Sequence, residues 1–320
     1  MTARRTVLAG LGGAAMVAGG YGLGAFHEAR RQSDSRLFGQ SQLIDTAAGA
    51  VEYAIAGDGP PVMMIHGTGG GFDQGLLFAA ALRARGYRIL SPSRFGYLRS
   101  DFPDDASPAH QADVLIDLLD HLEMERVAVV GGSAGALTAA ELARRHPARC
   151  SALVLLVPAA NLTERDPVAF SPLQQVAVTA VLGSDAWFWA LSRLAPDQMI
   201  RTLLATDPAL LDQVSAEERA RAQTILAQIF PIAPKTRGLR NDGFWAGTPT
   251  TTAYDRITVP TLIVSCEDDL FGTAATARLL AERIAGAKLT IYPTGGHIWL
   301  GHDAAIADEL AAFLGATSRA

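Results

Sequence analysis

One serine is surrounded by residues with almost no side chain: Val129 to Leu137 reads VVGGSAGAL, with Ser133 at its centre. A β-type apolar run leads into it and an alanine-rich helical pattern leads out. A strand that turns sharply into a helix pushes the turn residue toward unfavourable backbone angles, and bulky neighbours would collide there. Gly131 and Gly135 remove that bulk on either side of Ser133. Such a turn lifts the hydroxyl above the sheet, close to the N–H groups that open the helix. A hydroxyl is a weak nucleophile until a base takes its proton. His297, in YPTGGHIWLGH, stands in a glycine-flanked loop after the last strand-like run and can be that base. A third group must orient the imidazole and stabilise its charged form. TLIVSCEDDL supplies Glu267, Asp268 and Asp269 just beyond another buried strand. The residue types and their order suit attack on a carbonyl carbon with a covalent intermediate.

Four other histidines read as structural. His110 and His121 lie on helical patterns, His146 precedes the helix-ending Pro147, and His302 opens the terminal helix. The two cysteines, Cys150 and Cys266, each adjoin an apolar run and read as small buried side chains.

The elements that must hold these groups alternate along the chain. Short apolar runs fall at 51–56, 62–65, 87–91, 126–130, 152–157, 261–265 and 288–292. Several are continuous rather than alternating, as expected of strands covered on both faces. Helical patterns lie between them at 76–85, 108–122, 136–146, 274–284 and 303–314. The alternation predicts an α/β fold, a mostly parallel sheet with helices on both faces, built from 43–157 and 253–320. From 158 to 252 no convincing strand occurs, and helical stretches at 173–182, 187–194 and 216–229 are separated by prolines. This segment is expected to be an inserted all-helical lid.

The chain resembles the serine-nucleophile members of the α/β-hydrolase family, esterase- and lipase-like, over 45–158 and 259–314. The resemblance rests on G-x-S-x-G at Gly131 to Gly135, the order Ser…Asp…His, and His66-Gly67 after a buried strand. In relatives the acid follows three residues after a small residue that ends its strand. Cys266 stands at that place, so the resemblance implies Asp269 as the acid, with Asp268 as the alternative that spacing leaves open. It also implies an oxyanion hole formed by the backbone N–H groups of Thr68 and Ala134. SPSRFGYLRSDFP is similar to the family's D-R-P-G-x-G-x-S segment but carries Ser93, Phe95 and Leu98 where aspartate, proline and glycine are usual. It is expected to brace the site, with Phe95 near the pocket.

All four tryptophans lie in the insertion (Trp187, Trp189, Trp245) or just past His297 (Trp299). Trp187, Trp245 and Trp299, with Phe95, are the candidate substrate pocket, which suggests a small apolar ester or lactone. A carbon–carbon bond hydrolase, an amidase, a cofactor-free perhydrolase and a non-catalytic binding protein on the same scaffold are the alternatives. No metal-ligand spacing appears, Gly69 to Gly71 lack the Lys-Ser/Thr of a phosphate loop, and no cofactor is expected. The net charge of −5 and the absence of a basic tract argue against nucleic acid.

Residues 6–26 form an uncharged stretch of 21 residues, seven of them glycine, after Arg4-Arg5. A short basic start and a mildly apolar run read as an export signal, and the length also suits an N-terminal membrane anchor. Periplasmic, secreted or membrane-anchored placement is expected, with residues 27–42 as a polar linker.

Overall fold

The strand Val127–Gly132 is buried at every position, as is Thr261–Cys266, because each has a neighbour on both sides and helices above and below. The structure is a computed structural model that describes residues 22–164, 179–248 and 250–317. Eight strands form one sheet: β1 (Gln42–Thr46), β2 (Gly49–Ala56), β3 (Pro61–Ile65), β4 (Arg88–Pro92), β5 (Val127–Gly132), β6 (Cys150–Leu156), β7 (Thr261–Cys266) and β8 (Lys288–Tyr292). Their spatial order is β1-β2-β4-β3-β5-β6-β7-β8. β1 and β2 pair antiparallel, as do β2 and β4, and every other neighbouring pair is parallel. The seven expected strands are all present. β1 is the addition: only Ile44 of its five residues is buried, so it has no apolar run to announce it.

Two apolar layers cover the sheet. On one face Met63, Ile65, Val129, Leu153 and Ile263 meet the helices Pro108–His121, Gly135–Arg145 and Thr273–Arg283. On the other, Met64, Val130, Val154 and Val264 meet the helix Asp303–Thr317 and the short helices over 72–83. Consecutive strand residues thus feed opposite layers, which is why the strands read as unbroken apolar runs. Each fully buried Leu or Ile contributes on the order of 1.5–3 kcal/mol relative to exposure. The helix Pro108–His121 starts sharply because Ser107 accepts the His110 N–H and Pro108 has no donor to satisfy.

Between β6 and β7 the regular elements among the described residues are helices, with Asp185–Leu194, Pro196–Leu203, Ala216–Ile229 and Thr236–Gly247 as the main segments. Ser184 and Ser215 cap the first and third. The expected helix over 173–182 lies largely outside the described residues, which resume helical at 179. Residues 1–21, most of the expected signal or anchor, also lie outside them. Among the described residues no helix is long and apolar enough to cross a membrane. The segment read as a polar linker is not one throughout: 22–37 are helical, and Gln42 already belongs to β1. Polarity alone misled there, since Glu28, Arg31 and Gln32 at i, i+3 and i+4 bond to one another along a helix. The described residues up to Gln40 and those from Ser41 onward are two separate compact units, and every group described below belongs to the second.

Candidate active site

Ser133 sits at the C-terminal end of β5 with φ of 51°, a left-handed angle that non-glycine residues seldom adopt. Its N–H bonds Leu156 O at 2.9 Å, and its carbonyl accepts from Ala136 and Ala159 N–H, so the strained turn is held from both flanks. A Cβ at Gly131 would stand 2.6 Å from the Ala139 Cβ, and one at Gly135 would stand 2.3 Å from Ile65 O. Strand and helix can approach this closely only through those two glycines. The helix Gly135–Arg145 then begins directly behind the serine.

His297 Nε2 lies 2.8 Å from Ser133 Oγ, and His297 Nδ1 lies 2.8 Å from Asp269 Oδ2. A carboxylate can only accept, so Nδ1 carries the proton and Nε2 is free to receive that of Ser133. The histidine and aspartate are 8% and 5% exposed, which keeps water from competing for these bonds. Burial alone would raise the Asp269 carboxyl. The facing His297, the hydroxyl of Thr273 and the Phe271 N–H outweigh burial and hold it below the ordinary aspartate range. Thr273 donates to Asp269 Oδ2, Phe271 N–H to Oδ1 at 2.8 Å, and Ser265 pairs with Thr273 at 2.9 Å. The aspartate is therefore fixed on both oxygens.

Asp268 has another task. Its oxygens accept the N–H groups of Gly295 (3.2 Å) and Gly296 (2.8 Å), the two residues that lead into His297. Gly295 and Gly296 have φ of 132° and 60°, and Trp299 has 43°, so the loop is a run of left-handed turns. His297 N–H bonds Thr206 Oγ1 at 3.0 Å, which ties the loop to the helical insertion as well. Phe271 lays its ring edge-on to the imidazole, with centroids 4.9 Å apart.

The loop after β3 reaches the same place. A Cβ at Gly67 would be 3.1 Å from the Ser133 Cβ, so this backbone abuts the serine. Among the described residues, the N–H groups of Thr68 and Ala134 donate to no protein acceptor. His66 shapes the loop: its Nδ1 bonds Gly67 O at 2.7 Å, and its Nε2 accepts the Arg94 N–H at 2.9 Å. Burial, then the Arg94 charge, holds its pKa well below the usual histidine value, so the ring is neutral. Arg94 donates to His66 O and makes a two-point pair with Asp242 at 2.7 Å on each oxygen. Burial opposes the Arg94 charge, but Asp242 overcomes it and raises the guanidinium pKa. The segment 93–100 is thus a brace, as its sequence suggested.

Three residues here left no mark in the sequence. Tyr97 accepts the Gly69 N–H at 3.3 Å and donates to Asp242 at 2.5 Å. Lys235, fully buried, reaches Gly69 O at 3.0 Å from the insertion. Asp242 completes the set. Their contacts join segments 145 to 166 residues apart, a separation that no local pattern records.

The aromatic candidates divide. Phe95 and Trp245 line one narrow crevice beside Ala134, with room for about 10 Å³. Trp187 is 63% exposed on the surface of the helix Asp185–Leu194 and joins no such wall. Trp299 is also a correction. The left-handed turn at this residue directs the indole into the second core layer, where it packs edge-on to Phe78 and donates to Asp303 at 3.0 Å. Cys150 and Cys266 are buried free thiols, each pushed up to about 12 by burial and so unreactive as thiolates.

Comparison with known proteins agrees with this construction. The family described as alpha/beta hydrolase fold matches residues 60–301. The chain is 31% identical over 254 residues to a 2-hydroxymuconate semialdehyde hydrolase of Pseudomonas sp. (strain CF600), covering 76% of this chain and 82% of that protein. It is 27% identical to an uncharacterized hydrolase of Bacillus subtilis, covering 82% and 94%. Among solved structures it is similar to an alpha/beta hydrolase fold protein from Nakamurella multipartita, with a TM-score of 0.71, 27% identity, and coverage of 86% and 98%. A sheet that lifts one strained residue above its centre, matched along three quarters of the sequence, places this chain in the α/β-hydrolase family as a hydrolase.

Proposed function

We propose that this hydrolase uses Ser133 as its nucleophile and cleaves a small, mainly apolar carboxylic ester or lactone through an acyl-enzyme. His297 takes the Ser133 proton as Oγ attacks the carbonyl carbon, and the Thr68 and Ala134 amides receive the developing oxyanion. Losing one such donor costs about 2.7–4 kcal/mol of barrier in other hydrolases. His297 returns its proton to the leaving alcohol oxygen, then activates water to release the acid. Asp269 keeps Nδ1 protonated and balances the imidazolium. The observation that carries this reading is the pair of 2.8 Å contacts that His297 makes to Ser133 and to Asp269. Labelling with a fluorophosphonate tests it: wild type labels and hydrolyses short p-nitrophenyl esters, while Ser133→Ala does neither. A wild type that neither labels nor turns over such esters sinks the proposal.

A second reading is hydrolysis of a carbon–carbon bond by the same triad. The likeness to a 2-hydroxymuconate semialdehyde hydrolase favours it. Turnover of ring-cleavage dienols in preference to simple esters would choose it. We also infer that residues 1–26 direct export or anchor the chain. Cell fractionation that finds only cytoplasmic protein with an intact N-terminus would count against that.

A further inference from the structure

A strained turn in the insertion touches both loops that carry Asp269 and His297. Ala205, buried, is at φ of 40°, a left-handed angle that non-glycine residues seldom adopt. Strain of this kind persists only where the surrounding structure holds it, and it collects at functional sites. The Ala205 carbonyl accepts the N–H of Leu270, one residue past Asp269, at 3.0 Å. Thr206, fully buried, comes next. Its hydroxyl donates to Leu204 O at 2.7 Å and accepts the His297 N–H at 3.0 Å. The fit leaves no slack: a Cβ at Gly296 would stand 2.5 Å from Thr206 Oγ1 and 2.6 Å from its Cγ2. Farther along the loop, Arg221 donates to Ile298 O at 2.7 Å, and Glu218 accepts the Gly301 N–H at 2.8 Å. Both belong to the insertion helix Ala216–Ile229.

We infer that Thr206 is a positioning residue for His297, so that the insertion sets where the imidazole stands between Ser133 and Asp269. The inference rests on the reading of His297 as the base. Asp268 takes the amides of Gly295 and Gly296, which fixes the approach to the histidine but not the histidine itself. The backbone N–H of His297 finds its acceptor on the insertion instead. A tilt at this residue moves Nε2 relative to Ser133 Oγ, and misplacement by about 1 Å can cost on the order of a hundredfold in rate. The same turn holds Leu270, so acid and base are registered against one short segment rather than two.

Two variants of the full chain test the inference. Thr206→Val keeps the branched shape and removes the acceptor, whereas Thr206→Ser keeps the hydroxyl. With a short p-nitrophenyl ester, kcat is expected to fall about ten- to hundredfold in Thr206→Val while KM stays within about twofold. Thr206→Ser should return kcat to within about threefold of wild type. The rate of fluorophosphonate labelling should follow kcat in both. Deuterium exchange, read by mass spectrometry, should quicken about tenfold in the peptide spanning 294–301 of Thr206→Val, with β5 and β7 as protected as in wild type. A wild-type kcat and labelling rate in Thr206→Val would overturn the inference. So would a loss that Thr206→Ser does not restore, or one accompanied by lost protection throughout the sheet. Exchange requires no turnover, so the two readings fail separately. A wild type that does not label sinks the ester-hydrolase reading, and unchanged exchange over 294–301 sinks the role of Thr206.

Discussion

Lys235 Nζ, buried in the helical insertion, donates to the carbonyl of Gly69 at 3.0 Å and to that of Gln228 at 2.5 Å. One ammonium therefore joins the insertion to the loop that carries Thr68 and whose Gly67 abuts Ser133. We predict that Lys235→Met strands those buried carbonyls and loosens the loop. Stability should fall by about 1–3 kcal/mol. Loss of oxyanion placement should act on kcat, by about tenfold, more than on KM. Steady-state kinetics with an activated ester, alongside urea unfolding, checks this; an unaltered kcat in a folded variant would refute it.

The two adjacent aspartates should separate cleanly on substitution. Asp269→Asn leaves an amide where Nδ1 needs an acceptor of fixed charge, and kcat is expected to fall by about 10⁴. Asp268→Asn keeps one oxygen for the Gly295 and Gly296 amides, so its expected cost is less than about tenfold in kcat with a modest loss of stability. Equal losses for the two variants would contradict the geometry.

The Asp269 carboxyl, held below its ordinary value, also links stability to acid. A lowered folded pKa contributes stability in full above the unfolded value, near 3.8, and loses it as pH falls through the folded value. Wild type should exceed Asp269→Asn in stability at neutral pH, and the gap should shrink only below about pH 3.8. Chemical denaturation across pH 3 to 7, run on both proteins, measures the gap.

His66 acts in a different window. Its folded pKa is depressed well below 6.5, so below pH 6.5 the unfolded chain takes up a proton that the folded state refuses. Stability therefore falls with decreasing pH, by up to about 1.4 kcal/mol per unit from this group alone. Urea unfolding of wild type and His66→Gln between pH 7 and pH 5.5 should show a shallower dependence in the variant. Parallel slopes would mean that His66 is not held neutral.

Arg94 and Asp242 form a buried pair, and breaking one side should cost more than removing both. Asp242→Asn leaves an uncompensated guanidinium, with an expected loss of about 3–5 kcal/mol. The double variant Arg94→Met with Asp242→Leu should recover a large part of that loss. A double variant no more stable than Asp242→Asn would argue that the pair's other bonds, to His66 and Tyr97, dominate.

The sequence by itself determined seven of the sheet's eight strands, the sharp turn at Ser133 and the loop that carries His297. These are local: apolar runs, glycines flanking one serine, and acids at a strand end act over a few residues. Even the order of the proposed nucleophile, acid and base could be read in this way. Only the tertiary structure decided between Asp268 and Asp269, because the choice depends on which side chain faces Nδ1 and which faces the loop backbone. It also sent Trp299 into the core, left Trp187 exposed, and turned part of an expected linker into helix. Thr206, Tyr97, Lys235 and Asp242 were invisible for the same reason. The partners that tie them to the site lie 91 to 166 residues away, and a hydrogen bond across that distance leaves no periodicity in either segment.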